Sequence, residues 1–215
     1  MKTKLAIIFG LLLIFGNPMQ VIATPFQNGS FESGNFSGAG KTFMPLLSGS
    51  TAITGWTVGG DSVDWISSYW KASDGNMSLD LSGYKAGSLS QTFDTIIGAN
   101  YEASFDLAGN PQGGNPIKTL QVSVNDNNYI FTFDITGHSQ SNMGWTREMI
   151  TFVANSTSTT LTFTSLENNA WGPALDNVNV VDPPWDPTPV PEPATILLLG
   201  SGLIGLFRFR KKFEK

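Results

Sequence analysis

The feature that most restricts this chain is a period-two alternation of apolar and polar side chains that returns in one short stretch after another. "YEASFDLAGN" sets Tyr101, Ala103, Phe105 and Leu107 on one face, "LQVSVN" does the same with Leu120, Val122 and Val124, and "YIFTFDI" with Tyr129, Phe131, Phe133 and Ile135. "MITFVA" aligns Ile150, Phe152 and Ala154, "TTLTFTSL" aligns Leu161 and Phe163, and "LDNVNVV" closes the series. Successive side chains of a strand point to opposite faces, so the pattern reads as half-buried strands. The stretches between them, "GNPQGGNP", "NDNN", "GHSQSNMG", "NSTS" and "ENNAWGP", are rich in residues that tolerate turns. Short strands at intervals of about 10 residues, with no helical period between the two ends of the chain, point to an all-β antiparallel sandwich or jelly roll rather than an open α/β sheet. No internal repeat at a fixed period is present.

The two ends are of another kind. "MKTKLAIIFGLLLIFGNPMQVIA" has Lys2 and Lys4, an apolar stretch from Leu5 to Phe15, and small residues at a cleavage site after Ala23, so residues 1–23 read as a secretory signal peptide. The other end, "VPEPATILLLGSGLIGLFRFRKKFEK", follows the Pro-rich linker 183–190 with an apolar run from Ala194 to Phe207 and a basic terminus. As a helix rising about 1.5 Å per residue, that run reaches roughly 21 Å against a hydrocarbon core of roughly 30 Å, so it only just spans. Arg208, Arg210, Lys211 and Lys212 would snorkel into the headgroups and fix that end on the cytoplasmic side of the inner membrane.

Between these ends lies one domain, residues 24–182, long enough to bury a real core. Its basic residues are Lys41, Lys71, Lys85, Lys118 and Arg147, against fifteen carboxylates between Thr24 and Pro189. Such an acidic surface argues against nucleic acid as a partner, and fits solubility outside the cell or oxygen ligation of calcium. With no cysteine in the chain, disulfides, thiol catalysis and sulfur-ligated metals are excluded.

Pro191, Glu192 and Pro193, a short apolar helix and a basic end with Arg208 and Arg210 resemble the PEP-CTERM sorting signal. That resemblance implies recognition by a transpeptidase-like processing enzyme of the exosortase type, and a tail that holds the protein at the membrane before release or transfer to the cell surface. The domain, through "NGSFE", "ITGWTVGGDSVDWISSYWKASDGNMSLDLSG", "LSQTFDT", "SFDLAGNP", "NMGW" and "GPALDNVNV", is similar to the choice-of-anchor C family over nearly its whole length. That family is related to plant cell-wall proteins of an uncharacterised domain family and, more distantly, to carbohydrate-binding modules with a galactose-binding-like jelly roll. The resemblance implies a location and a fold, and a binding or structural role in an extracellular polysaccharide matrix.

The same resemblance implies a structural calcium: Glu32 in "NGSFE" and Asp176 in "ALDNVNV" match a carboxylate pair that joins the first and last strands in the related jelly rolls. The alternative is that both carboxylates accept backbone amides at strand ends. Sugar binding would use exposed aromatics beside amides. Trp145, Trp171 with Asn168 and Asn169, and Tyr84 are the leading candidates, Trp171 first; Trp65, Tyr69 and Trp70 in "DWISSYW" are further ones, each of them open to a core role instead. Trp56 in "GW" is expected in the core.

Catalytic motifs are incomplete. "GAGKT" at Gly38 to Thr42 has Asn35 where a Walker A loop needs glycine, and lacks the flanking strand and helix. "GHSQS" has Ser141 where a nucleophile elbow needs glycine, and His138, the chain's one histidine, is the base a serine triad would require. Neither "DGN" at Asp74 to Asn76 nor "NDNN" has the twelve-residue spacing of an EF-hand. A glycosidase needs two carboxylates alone, so hydrolysis stays open as the enzyme alternative to a binding or adhesion protein.

Overall fold

The computed structural model describes residues 24–38 and 40–181. The expected signal peptide, the linker 183–190, the membrane helix 194–207 and the sorting residues Pro191, Glu192, Pro193, Arg208 and Arg210 lie outside the described residues. Among the described residues there are eleven strands and no helix. They are β1 (Phe43–Leu47), β2 (Thr57–Gly60), β3 (Ser62–Ile66), β4 (Ser78–Asp80), β5 (Gly87–Asp94), β6 (Asn100–Gly109), β7 (Ile117–Val124), β8 (Asn127–Asp134), β9 (Thr146–Val153), β10 (Ser158–Ser165) and β11 (Pro173–Val181).

All strand pairs are antiparallel, and they form two sheets, one in the order β1-β3-β4-β11-β6-β9 and one in the order β2-β5-β10-β7-β8. The two inner faces meet as a jelly-roll sandwich. The alternation seen in the sequence decides which side chains enter. Leu120, Val122 and Val124 of β7, Leu161 and Phe163 of β10, and Ala103, Phe105 and Leu107 of β6 are all buried. Phe163 is central, with its ring 5.2 Å from that of Phe105 and 6.3 Å from that of Trp56. Trp56 is in the core as expected, its Nε1 donating to Asn28 O at 2.9 Å.

The two outer faces differ. Across the five-stranded sheet the outward residues form rows such as Thr57, Ser90, Thr162, Ser123 and Asn128, a layer of hydroxyls and amides. The middle of the outer face of the six-stranded sheet is covered, and β6 is buried on both faces from Ala103 to Gly109. Its cover is the long β3–β4 connection, residues 67–77. There the structure decides between the two readings left open for "DWISSYW": Trp65 is 1% exposed on the inner face, with Nε1 donating to Phe31 O, and Trp70 is 4% exposed, with Nε1 donating to Ser78 Oγ. Neither is available to stack on a sugar.

The N-terminal segment crosses β11 where its register with β6 shifts between Asp176 and Asn179, Val178 N donating to Gly29 O. Gly29 is required there, since a Cβ would lie 1.7 Å from Val178 O.

Candidate functional site

The connection 67–77 is held from three directions. Asp176 Oδ2 accepts Ser73 N at 2.7 Å and Asp74 N at 2.9 Å, while its Oδ1 accepts Asn177 N. Glu32 Oε1 accepts Asn76 N at 2.7 Å and Met77 N at 2.6 Å. Ser30 Oγ donates to Asp74, and Ser73 Oγ donates to Asp106, which also pairs with Arg147 at 3.1 Å. Glu32 and Asp176, far apart in sequence, therefore reach one loop, and the loop's own N–H groups are what they bind. Gly75 sits at φ +59°, and a Cβ there would meet Glu32 Oε1 at 2.4 Å, so only glycine lets the carboxylate close over the turn. Asp176 is fully buried, and burial pushes its carboxyl up to about 7, opposed by the backbone N–H groups that favour the anion.

Beside this loop runs the turn 136–144. Lys71 N donates to Gln140 O, and Trp145 Nε1 donates to Lys71 O at 3.0 Å, so the two segments are tied together. His138 packs its ring 5.2 Å from that of Phe133, with Nδ1 buried, and Gly144 at φ +70° leaves room for it, since a Cβ there would lie 2.1 Å from His138 Cε1. This histidine is packing under the turn. Between loop and turn opens a cleft of about 610 Å³ whose lining includes Ser67, Ser68, Tyr69, Asn76, Gln140 and Ser141. Tyr69 is half-buried, braced by Phe43 and Trp70 with ring centroids 5.5 and 5.7 Å away. The arrangement offers hydroxyl and amide groups beside one aromatic ring, on a backbone fixed before any ligand arrives.

A second locus lies where β11 begins. Trp171 is 40% exposed, and its indole covers Gly113 so closely that a Cβ there would lie 2.9 Å from the ring. Asn169 Oδ1 accepts Trp171 N at 2.9 Å, and Asn168 is exposed next to it. Beneath Trp171, the fully buried Lys118 donates from Nζ to Gly113 O at 2.6 Å and to Trp171 O at 2.8 Å. Burial pushes the Lys118 ammonium down, while the carboxylates of Glu167 and Asp80 push it back up. Asp80 is 1% exposed; it accepts Ser82 N and Gly172 N on Oδ1 and Asn110 Nδ2 on Oδ2, yet burial carries it up to about 7. Asp64, opposite Asp80 in the β3–β4 pairing, is pushed up to about 6 by the same cause.

The expected sugar-binding residues thus divide. Trp171 and Asn169 are joined, with Asn168 adjacent. Trp145 is half-buried and belongs to the cleft as a support for Lys71. Tyr84 is 63% exposed on the turn after β4. The sequence gives Ser141 only as part of an incomplete elbow and Asn76 only as part of a turn, and nothing in the spacing of Gln140, Ser141 and Asn76 along the chain signals that two loops meet there. Lys118 was legible in principle, since it shares the parity of Leu120 and Val122 on β7 and so must face the core.

Comparison with known proteins gives two family matches. The model of a family described as "Protein of unknown function (DUF642)" matches residues 24–181, and that of the PEP-CTERM protein-sorting motif matches residues 189–212. Halomucin of Haloquadratum walsbyi is 37% identical over 161 residues, which are 73% of this chain and 2% of that protein, so the chain spans only a small fraction of this relative. Among solved structures, a family 61 carbohydrate-binding module in complex with β-1,4-galactotriose is similar at 17% identity, covering 74% of this chain and 98% of that one, with a TM-score of 0.47. A family 35 module from Clostridium thermocellum is similar at 13% identity, covering 65% and 98%, with a TM-score of 0.46.

Proposed function

The chain belongs to the DUF642 family and ends in a PEP-CTERM sorting motif, which makes it an exported, surface-sorted protein, and from that premise we propose that it binds extracellular polysaccharide without catalysis. The observation that carries this reading is the cleft between the loop 67–77 and the turn 136–144. Ser67, Ser68, Asn76, Gln140 and Ser141 give donors and acceptors for sugar hydroxyls, and the Tyr69 ring gives an apolar face for a pyranose. No carboxylate is among the residues lining the cleft, whereas glycoside hydrolysis needs two, which supports binding over hydrolysis. Preorganisation supports it as well: the amide bonds from Glu32 and Asp176 hold the loop in place, so binding costs little ordering entropy.

Exposed Trp171 with Asn168 and Asn169 favours a second contact for a long glycan at the far locus, with Tyr84 as an outlying aromatic. A calcium ion at Glu32 and Asp176 belongs to the proposal as a reinforcement of the same loop. Glu32 accepts both of its amide bonds on Oε1, which leaves Oε2 as a hard oxygen donor of the kind calcium takes. Among the described residues no three acidic or histidine side chains converge as a metal site, so the ion would also rely on backbone carbonyls. Processing by an exosortase-type enzyme, and a role in the polysaccharide matrix of the producing cell, complete the reading.

The test is calorimetric titration of the exported protein with polysaccharide from its own producing cells. Tyr69→Ala and Gln140→Ala should each weaken binding by about tenfold or more, in line with roughly 1 to 3 kcal/mol for a lost stacking or hydrogen-bond partner. Saturable binding left untouched by both changes but lost in Trp171→Ala would move the site to the second locus; no saturable binding in the intact protein would leave a structural matrix role.

A further inference from the structure

Among the described residues four strands lie at sheet edges, β1 and β9 on one sheet and β2 and β8 on the other. An edge presents a row of unpaired N–H and C=O groups, and natural sheets blunt it with proline, charge, shortness or a bulge. Three edges here carry such a device. β1 has Pro45 within its five residues, β2 is four residues long and ends in Gly59 and Gly60, and β9 sets Arg147 and Glu148 near its start. β8 has none of them. It runs for eight residues, "NNYIFTFD", without proline, lysine or arginine, and its register with β7 is unbroken over its whole length.

The hairpin that joins β7 to β8 determines which backbone groups are free. Asn125 and Asp126 both have positive φ, at 47° and 63°, as a two-residue type I′ turn requires. In such a hairpin the closing pair, Val124 and Asn127, exchanges both of its hydrogen bonds, so the odd-numbered residues of β8 bond inward to β7. The next odd residue agrees, Ile135 N donating to Pro116 O at 2.9 Å. The backbone groups of Asn128, Ile130, Thr132 and Asp134 therefore point away from the sheet. The side chains of these four stand on the hydroxyl-rich outer face, where Ile130, at 55% exposure, ends a row formed by Gly59, Ser88, Thr164 and Gln121.

We propose that the free edge of β8 pairs antiparallel with β8 of a second copy of this chain, making one continuous sheet from two five-stranded ones. A strand paired antiparallel with itself is isologous and closes as a dimer. Charge selects this occupant. The domain is acidic, which opposes close approach of two copies elsewhere along its edges, whereas β8 is an edge that carries no charge before Asp134. A pairing centred on Phe131 sets Asp134 opposite Asn128 and Ile130 opposite Thr132, with no like charges opposed. It also joins the outward backbone groups of the even-numbered residues to one another and leaves the cleft on the other sheet untouched.

The absence of cysteine makes the test direct. Full-length chain carrying Ile130→Cys is expressed in its producing cells and treated with a short bis-maleimide. The expected result is a species of twice the chain mass, absent from a Thr92→Cys control on the same face of β5. Adding Thr132→Pro removes one outward N–H and leaves the ladder to β7 complete, so it should reduce that species at least tenfold. Ile130→Lys, in purified protein, should give a monomer by sedimentation where the parent gives a dimer, and a melting curve like the parent's shows that the fold is kept. No crosslink from Ile130→Cys, or one unaffected by Thr132→Pro, overturns the proposal. Glycan titration of the Ile130→Lys protein keeps the two readings apart, since the cleft contains no β8 residue.

Discussion

Replacing Asp80 by asparagine should remove much of the fall in stability that the protein shows between pH 4 and pH 8. Asp80 is 1% exposed, and burial raises its carboxyl from 3.8 to about 7 in the folded state. A folded-state value above the unfolded one means that the folded protein binds the extra proton between roughly pH 4 and 7, so stability is highest below that window and falls as pH rises through it. At about 1.4 kcal/mol per pH unit the loss amounts to roughly 4 kcal/mol for this one group. Asparagine stays neutral throughout and keeps an oxygen for Ser82 N and Gly172 N, but its amide nitrogen takes the place of the oxygen that accepts Asn110 Nδ2, a cost that does not vary with pH. Lys118 would lose one of its two carboxylate neighbours, which offsets part of the gain. The assay is urea unfolding from pH 4 to pH 8 for both proteins. Relative to the parent, the variant should gain roughly 2 to 4 kcal/mol between pH 4 and pH 8, on top of a constant loss from the Asn110 contact. Parallel curves over the whole range would refute the reasoning, because Asp80 would then titrate alike in the folded and unfolded chain.

Gly75→Ala should destabilise the protein by about 1 to 3 kcal/mol, read from its urea midpoint, because φ is +59° and the new Cβ would press on Glu32. Exchange of the Asn76 and Met77 amides should quicken in the same variant, and a slow, unchanged exchange there would show that the turn does not depend on glycine. If calcium reinforces the loop, millimolar calcium should raise the melting temperature and chelator should lower it, with the difference lost in Glu32→Gln. Identical melting curves with and without calcium would leave the backbone amides as the sole partners of Glu32 and Asp176.

What the sequence revealed, and what it hid, follows from the range of the interactions. Strands β6 to β11 were readable because each buries one face against the other sheet, so alternation is written into neighbouring residues. β1 to β4 are shorter, and Pro45, Gly59 and Gly60 break their patterns. Trp65 keeps the parity of Val63 and so could have been assigned to the core, but Trp70 is buried by a loop folding back over a sheet, which leaves no periodic trace. The roles of Glu32 and Asp176 depend on contacts across 44 and 102 positions of sequence, and no local pattern encodes such a meeting. Exposed Trp171 was identifiable from its polar neighbours, whereas the cleft arises only where residues 67–76 meet residues 140 and 141.

The place of β11 has a mechanical meaning. The sorting motif begins at residue 189, a few positions beyond Val181, so a force applied through that motif enters the domain through this strand. β11 lies inside its sheet, laddered to β6 on one side and to β4 on the other. Its last residues, Asn179 to Val181, pair with β6 alone, whereas Ala174 and Leu175 are laddered on both sides next to the clasp of Asp176 on the loop, so tension from this end meets the doubly held part last. The sorting motif is thus joined to a strand whose inner half is held from both sides.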